Sequence, residues 1–74
     1  MNLQYKGPNV EYYRKQKGMT QEELAKLLGV VRSNIAQYER GSRSPSIPIL
    51  IKMADIFGVT VDELVGRVPP DKPN

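Results

Sequence analysis

TQEELAKLLGVVRSNIAQYERG, residues 20–41, reads as two short helices joined by a tight turn. Thr20-Gln21-Glu22-Glu23 has the pattern of a capping box. The Thr hydroxyl can accept the amide hydrogen of the third helical residue, and the Glu at that place can reach back to the amide of the cap. Leu24, Leu27 and Leu28 follow at helical spacing and predict a buried stripe. Ala25 falls on the side where a second helix would cross, and its small side chain lets two axes approach closely. Gly29 then supplies the positive φ that closes a helix without a Cβ penalty. Val30 can plug the corner. A second helix starts near Arg32, buries Ile35 and Tyr38, and ends at Gly41.

The flanking sequence continues in the same grammar. Asn9 can cap a helix running to about Lys17, with Val10 and Tyr13 facing inward and Gly18 ending it. Residues 42–45 form a loop, after which Ser46 caps a fourth helix that tolerates Pro48 in its first turn. Ile47, Leu50, Ala54 and Phe57 make its inward stripe, and Gly58 stops it. Thr60-Val61-Asp62-Glu63 repeats the capping-box pattern before a short fifth helix that ends at Gly66. Five of the six glycines therefore fall at helix ends, which favours an all-α fold. The chain divides into an N-terminal arm (1–8), a five-helix domain (9–66) and a Pro-rich tail (67–74).

Seventy-four residues make one small domain with a modest core. The sequence has no cysteine and no histidine, which removes a disulfide framework, most zinc sites and the commonest general base. Its acids are scattered over helix starts and the expected solvent face, so no acid–base or nucleophile pair stands out, and an enzyme is not expected. No cofactor is implied. No apolar run reaches the ~18 residues of a membrane span, and there is no apolar leader at the N-terminus. A cytoplasmic, nucleoid-associated protein is the expectation. Net charge is +3. The distribution says more than the sum: between Arg32 and Pro45 there are three arginines and one acid, Glu39.

The offsets from Ala25 to Gly29 and from Gly29 to Ile35, four and then six residues, resemble a helix-turn-helix. GMTQEELAKLLGV at 18–30, NIAQYERGSRSPS at 34–46 and ILIKMADIFGVTVDEL at 49–64 widen the match, and the chain resembles the lambda-repressor-like (Xre/Cro) family over roughly residues 9–66. That resemblance implies a compact five-helix DNA-binding domain whose third helix enters the major groove while the second braces it. It also places Arg32, Ser33, Ala36 and Gln37 at base edges. Arg can bond guanine O6 and N7 together, and Gln can do the same at adenine N6 and N7. Gln21 is implied as a phosphate contact at the start of the second helix, where amide hydrogens and the dipole favour an anion. Asn34, Arg40, Ser42 and Arg43 are further phosphate candidates, with Lys26 a weaker one. A solvated polar face, which any surface helix has, is the ordinary alternative for each.

Two positions are read separately. The family pairs an arginine in the first helix with the glutamate of its third, which here implies a partly buried Arg14–Glu39 bridge with a structural role. Val31 departs from the family, which carries Ser or Thr there as N-cap of the reading helix; an exposed valine without a capping bond is the expectation. Tyr13 and Tyr38 are expected in the core, Tyr5 and Tyr12 at the surface.

The resemblance and the small size together suggest a homodimer on a pseudo-palindromic operator, with half-sites about 34 Å apart. Ile49, Met53 and Ile56 share one face of the fourth helix, and Val65 and Val68 extend the apolar end. This surface either pairs two copies or forms part of a wide buried stripe under the first and fifth helices. The leading expectation is a sequence-specific DNA-binding transcriptional regulator, a repressor. The alternatives are an antitoxin that represses its own operon, with a toxin or co-regulator as protein partner, and an interaction module that has lost DNA binding.

Overall fold

The computed structural model describes residues 8–67. Within them the chain forms five helices and no strand: α1 (Val10–Gln16), α2 (Gln21–Leu28), α3 (Arg32–Arg40), α4 (Ile47–Phe57) and α5 (Val61–Leu64). The expectations for Tyr5, for Val68 and for most of the arm and tail lie outside the described residues.

Local chemistry sets the helix starts. The Glu23 amide donates to Thr20 Oγ1 at 3.0 Å and the Thr20 amide to Glu23 Oε1 at 2.8 Å, so the capping box of α2 is complete. Thr60 and Glu63 repeat it at α5. Ser46 Oγ accepts from the Ile49 amide at 3.3 Å, and Pro48 sits in the first turn of α4, where its missing N–H is not needed. Asn9 differs from expectation. It occupies the cap position of α1 but its side chain makes no capping bond. Its amide donates instead to the Leu64 carbonyl at 2.7 Å, which ties the start of α1 to the end of α5. One turn further, Glu11 pairs with Lys15 at 2.9 Å, and that hydrogen bond and charge lower the carboxyl pKa.

Gly29 ends α2 at φ 73°, with the Val30 amide bonded to the Ala25 carbonyl at 3.0 Å and the Gly29 amide to Lys26 at 3.3 Å. This pair of bonds is the Schellman pattern. A Cβ at Gly29 would meet nothing within 4 Å, so the backbone angle, not crowding, calls for glycine there.

The core gathers Val10 and Tyr13 from α1, Leu24, Ala25 and Leu28 from α2, Ile35 and Tyr38 from α3, Met53, Ala54 and Phe57 from α4, and Leu64 from α5. Tyr13 stacks on Phe57 with ring centroids 5.9 Å apart. Ala25 is buried, as the close approach of two helices requires.

Two apolar positions fall elsewhere than their spacing suggested. Leu27 is 50% exposed. At about 100° per residue, Leu24, Ala25 and Leu28 span one arc, and Leu27 falls outside it. Ile47 is 68% exposed, because it opens α4 and the buried place at this end goes to Pro45. Met53 is fully buried. It lies three residues after Leu50 and four before Phe57, inside the core stripe, and is not available to a second copy. Ile49 and Ile56 are half-buried and pack against the same core. Val65 is half-buried as well.

Candidate nucleic-acid interface

The interface is built from the buried side outward. Arg14 is 8% exposed, the one charged residue among the buried set of the described residues. Its Nε donates to Glu39 Oε2 at 2.6 Å, its Nη2 to Glu39 Oε1 at 3.3 Å, and its Nη1 to the Met19 carbonyl at 2.8 Å. The bond to Glu39 raises the guanidinium pKa from an already high value, against the opposing effect of burial. The pair binds α1 to α3 with two parallel bonds, a fork that a lysine could not supply. The expected Arg14–Glu39 bridge is therefore in place.

Glu39 does more than meet Arg14. Its Oε1 also accepts from Gln21 Nε2 at 2.9 Å. A carboxylate only accepts, so this contact fixes which end of the Gln21 amide faces Glu39. The Gln21 carbonyl oxygen then faces away and accepts from Arg32 Nη1 at 3.0 Å. A continuous path runs from the buried Arg14 through Glu39 and Gln21 to Arg32 at the exposed start of α3.

A second contact braces the middle of α3. Gly41, at φ 79°, turns the chain back over the last helical turn, and the Ser42 amide bonds the Gln37 carbonyl at 3.0 Å. The reversal brings Arg43 beside Gln37, where Arg43 Nε donates to Gln37 Oε1 at 2.7 Å.

Around these two braces the remaining candidates take their places. Arg32, Ser33 and Arg40 are exposed; Asn34, Ala36 and Gln37 are half-buried along the same helix. Ser42 and Arg43 are exposed in the loop that follows, and Gln21 is half-buried at the start of α2. Val31 is 64% exposed and caps nothing with its side chain. Its carbonyl accepts from the Asn34 amide at 3.0 Å, so the backbone closes this turn without a hydroxyl. Tyr12 is 39% exposed and touches the ring of Tyr13 edge-on, while Tyr38 is core.

The links Gln21–Arg32 and Gln37–Arg43 were not read from sequence. A signal for the first is that both residues open their helices. For the second, Gly41 predicts a reversal that returns the following residues toward Gln37.

Among the described residues no group of His, Cys, Asp or Glu could hold a metal ion. No helix among them is long and apolar enough to cross a membrane.

Comparison with known proteins fits this geometry. The helix-turn-helix family model matches residues 10–64. The chain is 40% identical over 72 residues to the uncharacterized HTH-type transcriptional regulator YazB of Bacillus subtilis (strain 168), covering 97% of this chain and 100% of that one. It is 46% identical over 54 residues to the HTH-type transcriptional regulator AnsR of the same organism, covering 73% of this chain and only 47% of AnsR. Among solved structures, the P22 c2 repressor in complex with a synthetic operator superposes with a TM-score of 0.75 at 27% identity, over 84% of this chain and 94% of that one.

Proposed function

The chain belongs to the helix-turn-helix family of transcriptional regulators, and from that membership we propose that it represses transcription by reading an operator with α3 in the major groove. The family is one of DNA-binding regulators, not of enzymes. The observation that carries the reading is the path from Arg14 to Arg32. A helix that must present side chains to base edges has to arrive rigid, and α3 is clamped to both preceding helices by hydrogen bonds that reach its first residue.

In this reading Arg32 and Gln37 touch bases, with Ser33 and Ala36 lining the groove. The amide end of α2 near Gln21, together with Asn34, Arg40, Ser42 and Arg43, holds phosphates. Phosphate contacts set register and base contacts set sequence. Two copies bind the operator, because one reading helix offers too few base contacts for a tight site, and a two-fold pair meets half-sites about one DNA turn apart. Half-buried Ile49, Ile56 and Val65 on one side, and exposed Ile47 and Ile51 on the opposite flank of α4, are the apolar residues open to that pairing.

Gel shifts of the full chain across a salt series test the reading. Affinity should fall steeply as salt rises, with a slope set by the phosphates neutralised. Arg32→Ala should relax sequence preference more than it weakens non-specific binding. Absence of binding to any duplex at low salt would remove the proposal.

A further inference from the structure

Val31 is 64% exposed and stands one residue before α3 begins at Arg32. Its neighbour Val30 packs against the core, whereas Val31 holds the cap position with a side chain that makes no capping bond. The backbone there is already served, because the Val31 carbonyl accepts from the Asn34 amide at 3.0 Å. The side chain adds no cap and is mostly open to solvent, so the fold gains little from it. A hydroxyl at the same place would have added a capping bond. Single exposed apolar residues are ordinary on a protein surface and by themselves mean nothing. This one differs by its place, beside the residue assigned to the first base.

The neighbourhood identifies a partner. Consecutive Cα atoms are about 3.8 Å apart, close to the rise of about 3.4 Å between base pairs. A side chain next to Arg32 therefore meets the base pair next to the one Arg32 reads. Arg32 is tethered by the Gln21 carbonyl at 3.0 Å, and an arginine pairs best with guanine O6 and N7. The apolar feature that bases present in the major groove is the 5-methyl group of a pyrimidine. Thymine always carries it, and cytosine carries it when methylated. Valine is branched at Cβ and stiff at χ1, so its two methyls cover such a group at little cost in side-chain entropy. Ser33, on the far side of Arg32, is exposed and polar, so the tip of α3 joins one cation to one apolar contact.

We propose that Val31 is a specificity-determining residue that reads the 5-methyl group of a pyrimidine in the base pair adjoining the guanine held by Arg32. This rests on the major-groove reading given above and adds to it a base pair which that reading left unassigned. A hydroxyl at this position would cap the helix and give the methyl a poorer neighbour. Valine gives up the cap and keeps the contact. Thymine and 5-methylcytosine present the same group at the same place in the groove, and the experiment separates them.

The test uses duplexes selected from a random pool by the full chain. The base pair that loses its preference in Val31→Ser is the one Val31 reads. Serine suits a cap position, so this variant keeps the fold, and its Tm checks that it does. At that base pair thymine is compared with uracil, which lacks only the methyl, and 5-methylcytosine with cytosine. Wild type should bind the methylated member of each pair about fourfold more tightly. Val31→Ser should bind both members alike while keeping its preference for guanine at the Arg32 position. A wild-type response in one pair alone still supports the contact and names its pyrimidine as the source of the methyl. Equal wild-type binding within both pairs overturns the inference. So does a Val31→Ser variant that keeps the full methyl discrimination, or one whose base preferences match wild type throughout. Each of these outcomes leaves DNA binding itself intact, whereas failure to bind any duplex would sink the underlying reading as well.

Discussion

The side-chain carbonyl of Gln21 accepts a hydrogen bond from Arg32 at 3.0 Å, joining the first residue of α2 to the first residue of α3. Because Glu39 holds the other end of the same amide at 2.9 Å, the orientation of Arg32 depends on a carboxylate that is itself only 7% exposed. A residue at the surface is positioned from the interior.

That dependence makes Gln21→Met informative. Methionine keeps the length of the side chain and removes both hydrogen bonds. Stability should fall by about 1 kcal/mol, the usual net value of such bonds. Preference at the base that Arg32 is proposed to read should fall severalfold, and the effects of Gln21→Met and Arg32→Ala on that preference should be non-additive. Strictly additive losses in a double-mutant cycle would show that Gln21 does not position Arg32.

Glu39→Ala removes one partner of a nearly buried pair and leaves the Arg14 guanidinium with only the Met19 carbonyl. Stranding a buried charge costs about 3 kcal/mol or more. In urea the unfolding midpoint should drop accordingly, and an unchanged midpoint would mean that the bridge contributes nothing in solution.

Val31 offers a gain. It holds the backbone angles of an N-cap, φ −85° and ψ 153°, without a hydroxyl. Val31→Thr should supply the missing acceptor and stabilise the fold by about 1 kcal/mol. For a domain of this size that raises Tm by about 5 °C. A Tm at or below that of the wild type would indicate that the Asn34 amide is already satisfied by the Val31 carbonyl.

Core and proposed pairing surface on α4 separate by two substitutions. Met53→Ala opens a cavity in a fully packed site and should cost about 3 kcal/mol while leaving self-association unchanged. Ile51→Glu, at a residue 50% exposed, should change stability by less than about 0.5 kcal/mol and abolish pairing in sedimentation. If Ile51→Glu sediments like the wild type at every concentration, the second copy docks elsewhere or does not form.

The helix boundaries were legible because they are local. Thr20 and Thr60 each sit three residues before a glutamate, and that spacing alone closes a capping box. Gly29, Gly41 and Gly58 stand where a helix must turn left-handed, and their φ values of 73°, 79° and 71° bear this out. Apolar period was a weaker guide. It assigned Leu27 and Ile47 to the interior, where the structure exposes both, and it left Met53 between a pairing face and a buried stripe, where the structure buries it. Periodicity says which residues share a face, but the width of that face under cover is set by the neighbouring helices. The pairing of Arg14 with Glu39, implied by family resemblance, is found at 2.6 Å.

By itself the sequence determined five helices, their order and their ends, since caps, glycines and a stripe of apolar residues act over a few positions and need no partner from elsewhere. Only the tertiary structure decided how the polar residues divide their hydrogen bonds: that Glu39 orients Gln21, that Gln21 holds Arg32, and that Arg43 takes the carbonyl of Gln37. The physical reason is that a hydrogen bond between side chains 6 to 18 residues apart requires donor and acceptor within about 3 Å, and that distance is set by how helices cross and where a loop returns.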